Sequence, residues 1–276
     1  MNLVVQGPSM TAEQAQHLAG LAGSTRIHRI TDHAWRVHGA APADAIAPYC
    51  EKAHIDYAFV PRGRLFADLK LLAMDMDSTL ITIECIDELG DMAGCKTEIA
   101  AITAQAMRGE LDYPQSLRKR VGLLKGLQEA ALKRVYDERL RLTPGADELL
   151  AACKKHGVKL LLVSGGFTFF TDRLRERLGI DYTISNRLET QGGQLTGTLV
   201  GSIVDADAKA AKFAAVATEI GAAREQTVAI GDGANDLKMM AQAGTSIAFH
   251  AKPVVRAQAS CAISWCGLDA VLNLYE

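Results

Sequence analysis

The sequence predicts an α/β fold, in which a parallel sheet carries a helical cap and follows a small α+β module. From Leu69 onward, short apolar runs alternate with helix-like segments. An insert over about residues 86–141 is rich in helix formers and has no strand signal. The first 60 or so residues show a different order of elements. A length of 276 residues is sufficient for one large domain and one small domain.

The N-terminal module is predicted to have the order βαββαβ. Ser9 and Thr11 are candidate caps for its first helix, and Pro42 suits the first turn of its second helix. Residues 26–37 alternate loosely between apolar and polar, which predicts two strands joined by a turn. In chain order, the expected elements cover residues 2–6, 11–21, 26–37, 42–53 and 55–60.

The boundary between the two parts is predicted at Pro61-Arg62-Gly63-Arg64, a stretch with the residues of a turn. It separates a module of residues 1–66 from a domain of residues 67–276. Such a stretch is typical of an exposed linker. We therefore expect few contacts to cross it, and we expect a chain beginning near Arg64 to fold by itself.

The larger domain is predicted to contain six core strands. Several are continuous apolar runs, which are typical of a parallel sheet covered on both faces. A glycine-rich stretch over residues 192–197 predicts a hairpin. The cap helices are expected at residues 98–108, 113–124 and 128–140, and the strands at residues 71–74, 159–163, 182–185, 227–230, 246–249 and 262–265.

The composition limits the expected partners and the compartment. The net charge of -2 gives no reason to expect a nucleic acid or a membrane surface as partner. No apolar run approaches the roughly 18 residues of a membrane helix, and the N-terminus lacks the blocks of a signal peptide. The six cysteines are scattered without CxxC or zinc-like spacing. We therefore expect a cytoplasmic protein with reduced thiols.

Two carboxylates follow the first core strand, in the stretch "LLAMDMDSTL" that contains Asp75 and Asp77. An ionised carboxylate in apolar surroundings is costly unless a cation or several hydrogen bonds compensate for it. In open α/β sheets, ligands bind beyond the carboxyl ends of the strands. Two further strand ends carry candidate binding residues. The predicted strand 159–163 is followed by Ser164, Gly165 and Gly166, and the predicted strand 227–230 is followed by Asp232, Asn235 and Asp236.

These residue types fit phosphate chemistry assisted by Mg²⁺. Carboxylate and carbonyl oxygens are the ligands that Mg²⁺ prefers, and the ion commonly bridges to phosphate. Ser164 and the glycines after it offer a hydroxyl and backbone N–H groups at the expected start of a helix. Lys209 and Lys212 are the candidate cations, of which we prefer Lys209. One acid of the DxD pair is suited to attack phosphorus, and the other is suited to move the proton.

The order of these motifs resembles that of the haloacid dehalogenase-like phosphotransferases, with DxDx[TV], then Ser or Thr, then Lys, then an acidic pair. Asp75 to Thr79, Ser164, Lys209 and Asp232 to Asp236 match in that order. Within this superfamily, residues 67–276 are similar to the phosphoserine phosphatases through "DMDSTLITIE", "SLRKRVGLLKGL", "VSGGF" and "GDGANDLKM". The resemblance implies a Rossmann-like core. It also implies Mg²⁺-dependent hydrolysis of O-phospho-L-serine through an aspartyl phosphate, as the last step of serine biosynthesis.

The resemblance further implies a role for each matched position. Asp75 is expected to be the nucleophile and a Mg²⁺ ligand, and Asp77 the general acid/base that gives its backbone carbonyl to the ion. Asp232 is expected to bind the ion directly, and Asp236 to hold a water ligand of it. The expected substrate contacts are Ser164 and Gly165 with the phosphate, Lys209 with its charge, Asn235 as an orienting amide, Glu84 with the ammonium, Arg120 with the carboxylate, and Met107 and Tyr113 as pocket walls.

Several of these residues also have structural explanations. The basic run Arg118-Lys119-Arg120 is typical of a solvated helix face, an interpretation that we assign to Arg118 and Lys119. Glu84 is also a candidate acid for a helix N-terminus. The remaining charged residues are interpreted as helix-start acids or surface cations, namely Asp205, Asp207 and Lys212.

Alternatives stay open for the module and for the activity. The βαββαβ order is similar to that of ACT domains, so the module is expected to sense an amino-acid effector, to form a homodimer or simply to pack. The alternative activities are a phosphatase or phosphotransferase for another small amino-acid-like phosphate, an inactive amino-acid sensor, and a dehalogenase. An idle sensor has little need for the intact acids and Lys209, and dehalogenation needs no proton donor at Asp77.

Overall fold

The N-terminal module forms an antiparallel sheet with two helices, as the computed structural model of residues 1–276 shows. The predicted order is confirmed, and the strand order in the sheet is β2-β3-β1-β4. The elements are β1 (Asn2–Gln6), α1 (Ala12–Leu21), β2 (Ile27–Thr31), β3 (Ala34–His38), α2 (Ile46–Ala53) and β4 (Asp56–Val60).

The two module helices begin where local hydrogen bonding allows. Thr11 caps α1, because its hydroxyl accepts the N–H of Gln14 and the Gln14 side chain accepts the N–H of Thr11. The expected position of Pro42 in the first turn of α2 is wrong. The helix begins at Ile46, and Pro48 occupies its first turn, where a missing N–H leaves no hydrogen bond unmade.

The module packs against the larger domain, so the expectation of few crossing contacts is wrong. Leu3 and Val5 of β1 face the module helices, while Val4 between them joins the core of the larger domain. Polar groups cross as well. The Asp56 carboxylate accepts the backbone N–H groups of residues 264–266, and the Arg36 guanidinium donates to the carbonyls of Asn273 and Tyr275. The second face of the sheet combines Val4 and Ala58 with buried polar side chains such as Arg36, and the larger domain covers it, which the sequence pattern did not reveal.

The larger domain is built on a seven-stranded sheet with the order β11-β10-β9-β5-β6-β7-β8. All neighbours are parallel except the β7–β8 hairpin. The six predicted strands are present, and the glycine-rich turn at residues 192 and 193 connects the hairpin. The strands are β5 (Leu71–Met74), β6 (Lys159–Phe167), β7 (Tyr182–Gln191), β8 (Gln194–Val200), β9 (Thr227–Gly231), β10 (Thr245–Phe249) and β11 (Cys261–Ile263).

Helices cover both faces of this sheet. Leu72 and Met74 of β5 enter one apolar cluster, while Leu71 and Ala73 enter the cluster on the opposite face. This alternation explains why the strand is apolar at every position. The helices outside the cap are α7 (Ala146–His156), α8 (Thr168–Leu178), α9 (Ala206–Glu219), α10 (Leu237–Met240) and α11 (Pro253–Arg256).

The insert after β5 is helical, as predicted, and forms the cap. The three expected helices lie within two residues of their predicted limits, and a further helix begins directly after Glu84, as its interpretation as a helix-start acid implied, although no limits had been predicted for it. None of the helices in the chain has both the length and the apolar character that crossing a membrane requires. The cap helices are α3 (Cys85–Met92), α4 (Lys96–Met107), α5 (Tyr113–Gly122) and α6 (Ala130–Arg134), the last continued by a π-helical turn over Val135–Arg139.

Asp56→Asn should destabilise the protein by about 2–3 kcal/mol, because an amide nitrogen would face N–H groups that now donate to a carboxylate. Urea unfolding measures this change in the free energy of unfolding. Asp44→Asn is the matched control, since Asp44 is exposed in the same module and should stay within about 0.5 kcal/mol of wild type. Equal stabilities of the two variants would contradict a structural role for the Asp56 contacts.

Candidate active site

The carboxyl ends of three neighbouring strands meet at one edge of the sheet. In register, β5 lies between β9 and β6, so Asp75 after β5 is flanked by Asp232 after β9 and by Ser164 in β6. Carboxylate oxygens of Asp75, Asp232 and Asp236 all lie within 4.8 Å of one another. The sequence therefore located the acidic cluster correctly, and the parallel register of the sheet assembles it.

Ser164 and the two glycines after it were expected at the start of a helix, but the structure does not place them there. They lie within β6, whose pairing with β7 shifts register between Val163 and Phe167, and α8 begins only at Thr168. The Ser164 hydroxyl oxygen lies 3.4 Å from Oδ2 of Asp77 and accepts the N–H of Gly166 at 2.8 Å. An irregular strand end, rather than a helix N-terminus, therefore frames this side of the site.

The buried side chain of Lys209 bridges two of these acids, Asp75 and Asp236. Lys209 follows the capped start of α9, where the Asp205 carboxylate accepts the N–H of Ala208, and its side chain is fully buried. Its Nζ donates to Oδ1 of Asp75 and to Oδ1 of Asp236, both at 2.8 Å. Burial by itself would lower the pKa of Lys209, but the two carboxylates outweigh burial and raise it. Lys209 is therefore charged at any physiological pH.

The acidic cluster carries more negative charge than Lys209 balances. Burial raises the pKa of Asp75 well above its ordinary value, and the neighbouring Asp236 carboxylate adds to the shift. Burial and Asp236 also raise the pKa of Asp232 to about 6. One ammonium group faces three carboxylates, so a bound cation would lower the electrostatic cost. The oxygen-only donor set fits Mg²⁺.

Asp77 is held apart from this cluster. Its Oδ1 accepts the backbone N–H of Cys85 at 2.8 Å, and burial raises the pKa of its carboxyl although that hydrogen bond opposes the shift. The chain turns sharply after it, since Ser78 has a left-handed φ of 55°. Asp77 is thus a carboxyl group that is more easily protonated than usual and stands beside the acidic cluster.

The cap forms the opposite wall of a cavity of about 740 Å³ above the acids. The hydroxyl of Tyr113 donates to the carbonyl of Gly165 at 3.2 Å, which joins α5 to the end of β6. Arg120 is half-buried, and its Nε has no hydrogen-bond partner, whereas Arg118 and Lys119 are exposed as expected. Other expected residues that line the cavity are Glu84, Met107, Gly165 and Asn235.

Glu84 lies at the N-cap position of α3 but makes no capping hydrogen bond. Its Oε1 accepts the hydroxyl of Ser78 at 2.7 Å. Glu84 is an exposed residue that lines the cavity, and the cavity walls partly desolvate its carboxyl group. This desolvation, together with the nearby Asp77 carboxylate, raises the pKa of Glu84 to about 7. The geometry favours a role in the cavity over a role as a helix cap.

The sequence model of the haloacid dehalogenase-like hydrolases matches residues 72–241. A second model, described as a domain of unknown function (DUF4072), matches residues 3–46. A phosphoserine phosphatase of Polaromonas sp. is 57% identical over 215 residues, which are 76% of this chain and 91% of that protein. The chain belongs to the haloacid dehalogenase-like hydrolases. Within them it is a member of the phosphoserine phosphatase family.

Solved structures agree with this membership. The unliganded structure of a probable phosphoserine phosphatase from Vibrio cholerae has a TM-score of 0.86 and 37% identity, covering 99% of this chain and 85% of that chain. A structure described as a phospho-aspartyl intermediate analogue of phosphoserine phosphatase has a TM-score of 0.71 and 40% identity. It covers 75% of this chain and 99% of that chain.

In this haloacid dehalogenase-like hydrolase, the glycines at the end of β6 are required by close packing. A Cβ on Gly165 would lie 2.1 Å from the hydroxyl of Tyr113, and one on Gly166 would lie 2.7 Å from Oδ2 of Asp77. Neither glycine has a positive φ. The glycines therefore allow the cap and the acid pair to approach the strand end.

Two residues of the hydrolase site had not been predicted from the sequence. The buried side chain of Asn186 donates to the carbonyl of Gly165 at 2.8 Å and accepts the N–H of Val204, which fixes the strand end. A polar residue at the end of the predicted strand 182–185 was the available signal. Lys252 lines the cavity mouth close to Met107 of the cap, and no sequence pattern indicated it.

Mg²⁺ binding at this acidic cluster should release protons, because Asp232 has a pKa of about 6 without a metal and would bind the ion only when ionised. At pH 6, Asp232 should be about half protonated, so at least roughly half a proton should be released per ion bound. At pH 8, Asp232 should already be ionised and should contribute few of the released protons. Calorimetric titration with MgCl₂ in two buffers of different ionisation enthalpy measures this number.

Asp207→Asn is the control for this titration, since Asp207 is exposed at the cavity rim and paired with Lys238. It should release protons like wild type, whereas Asp232→Asn should bind Mg²⁺ weakly and release fewer. Identical heats in both buffers at pH 6 would show that the acidic cluster is not protonated before the ion binds.

Proposed function

We propose that the chain is a Mg²⁺-dependent phosphatase that hydrolyses O-phospho-L-serine to L-serine and phosphate through an aspartyl phosphate. One observation carries this proposal. A single cavity has Asp75 on its floor, paired with the fully buried Lys209 behind it, and two side chains of opposite charge, Glu84 and Arg120, on its cap side. The floor matches a phosphate group, and the cap side matches the ammonium and carboxylate of an amino acid.

The chemical steps follow from the two acids of the DxD motif. The Asp75 carboxylate attacks phosphorus, and the bond between phosphorus and the serine oxygen breaks. Asp77, whose raised pKa favours the protonated form, donates its proton to that oxygen. In the second step, Asp77 takes a proton from water as the water oxygen attacks phosphorus. The bond between phosphorus and Asp75 breaks, which releases phosphate and restores the Asp75 carboxylate. The phospho-aspartyl analogue of a relative 40% identical to this chain supports this route.

The remaining polar residues of the floor hold the phosphate and the metal. Gly165 and Asn235 line the cavity, with Ser164 and Lys209 buried directly behind its floor. In the proposed reaction Ser164 and the backbone at Gly165 would bind the phosphate, Lys209 would neutralise its charge and Asn235 would orient it. Mg²⁺, when bound, would supply a positive charge that polarises the phosphoryl group. The residues that would hold it are Asp75, Asp232, Asp236 and the backbone carbonyl of Asp77.

The cap residues supply the preference for an amino acid. Arg120 has an unpartnered Nε that suits a carboxylate, and the Glu84 carboxylate suits an ammonium group. An ammonium at Glu84 would lower the pKa of that carboxyl from its value of about 7, so substrate binding and ionisation of Glu84 would favour each other. Met107 and Tyr113 bound the space between these charges.

We place this activity at the last step of serine biosynthesis, because its product would be free L-serine. The six cysteines are all free thiols, which fits the reducing cytoplasm expected from the sequence. Amino-acid sensing and homodimerisation by the module stay predictions. Phosphate release from L-phosphoserine, measured with MgCl₂ and again with excess EDTA, tests the proposed reaction.

Asp75→Asn should abolish turnover of L-phosphoserine, because an amide does not attack phosphorus. Asp77→Asn should bind Mg²⁺ and substrate but lose about 10²–10⁴-fold in kcat, the usual contribution of a general acid. Steady-state kinetics at several pH values measures both losses. A near wild-type rate for either variant would reassign the role of that acid.

Arg120→Ala should raise KM for L-phosphoserine by about 10–100-fold, the usual loss for a charged hydrogen-bonded pair. It should change KM for p-nitrophenyl phosphate little, since that substrate has no carboxylate. Arg118→Ala is the matched control on the exposed face of the same helix, and it should behave like wild type on both substrates. Equal losses on both substrates would place Arg120 in folding or general catalysis instead.

A further inference from the structure

Ser116 in α5 is a buried polar residue to which no motif assigns a role. Its exposed fraction is 1%, and its hydroxyl makes no hydrogen bond. Its backbone N–H donates to the carbonyl of Asp112 as in any helix, so only the side chain lacks a partner. A buried hydroxyl without a partner costs stability, so its presence in the cap calls for an explanation.

The position of Ser116 places it between the two ends of the substrate cavity. Tyr113, Ser116 and Arg120 are spaced three and four residues apart, so they share one face of α5, and all three line the cavity. Tyr113 marks the phosphate end through its hydrogen bond to Gly165. Each helical turn advances about 5.4 Å, so Ser116 lies about one turn from that end and Arg120 about two turns.

Ser116 and Arg120 both lack a hydrogen-bond acceptor for a buried donor group. Both carry a buried donor without an acceptor, the hydroxyl in one case and Nε in the other, on adjacent turns of one helix face. A carboxylate has two oxygens that accept hydrogen bonds, so a single carboxylate can satisfy both donors. We propose that Ser116 is a specificity-determining residue whose hydroxyl donates to the substrate carboxylate beside Arg120. This inference rests on the proposed function, because it concerns the amino-acid end of the same cavity.

Thr103 of α4 provides a matched control within the same cavity. Its hydroxyl already donates to the carbonyl of Ile99 at 3.1 Å, so it has no spare proton for a substrate. Thr103→Val keeps the shape of the side chain and removes only this local hydrogen bond. Ser116→Ala removes a hydroxyl that is free.

The experiment compares the two variants on three substrates. O-phosphoethanolamine has the phosphate and the ammonium of L-phosphoserine but no carboxylate, and p-nitrophenyl phosphate has neither charged group of an amino acid. Ser116→Ala should raise KM for L-phosphoserine by about tenfold with kcat nearly unchanged, as expected when a hydrogen bond to a charged group is lost from binding. Its KM for the other two substrates, and all KM values of Thr103→Val, should stay within about twofold of wild type.

Thermal unfolding separates this role from a structural one. Ligand-free Ser116→Ala should have a Tm equal to or above that of wild type, because the change removes an unpaired buried hydroxyl. A lower Tm, or an equal rise in KM for O-phosphoethanolamine, would overturn the proposal. A wild-type KM for L-phosphoserine in Ser116→Ala would overturn it too, while leaving the proposed function intact. Failure of the wild-type protein to hydrolyse L-phosphoserine would instead refute the proposed function, and this inference with it.

Discussion

The buried ion pairs of Lys209 determine the arrangement of the site. Its ammonium group donates to Asp75 at the end of β5 and to Asp236 after β9, so one side chain from α9 fixes two strand ends. A buried cation of this kind is retained only with good partners, and here both carboxylates are close and well placed. Because Asp232 also lies within the cluster, the site keeps an excess of negative charge. That excess favours a divalent cation, which in the proposed function would offset the charge of the acids at the end of the buried strand.

In the proposed function, the chemistry and the selectivity reside on different parts of the chain. The segments that follow the strands supply the acids and α9 supplies Lys209, whereas the cap supplies Glu84 and Arg120. The contact between Tyr113 and Gly165 connects the two parts, and it depends on the absence of a side chain at Gly165. Burial raises the pKa of the Tyr113 hydroxyl to about 12, so it remains a hydrogen-bond donor at neutral pH. The cap therefore meets the end of β6 through a neutral hydrogen bond.

The N-terminal module is part of the packed structure. Its central strand β1 is buried on both faces, with Leu3 and Val5 towards the module helices and Val4 towards the larger domain. The charged contacts at this interface go mainly to backbone groups, as with Asp56 and residues 264–266. Such contacts require one fixed orientation, since a shift of the module would leave buried polar groups unpaired. The module thus supports the C-terminal segment, which lies far from the acidic cluster in sequence.

The sequence alone determined the order of elements, the inserted cap and the acidic positions at the strand ends. These depend on local periodicity and on residue types that adjacent positions reveal. Only the tertiary structure decided that Lys209 is fully buried, that Asn186 holds Gly165, and that Glu84 faces the cavity rather than capping α3. It also decided that Ser164 lies in a strand and that the module docks through Asp56. The physical reason is that these features depend on burial and on hydrogen bonds between residues distant in the chain, which local pattern and propensity do not encode.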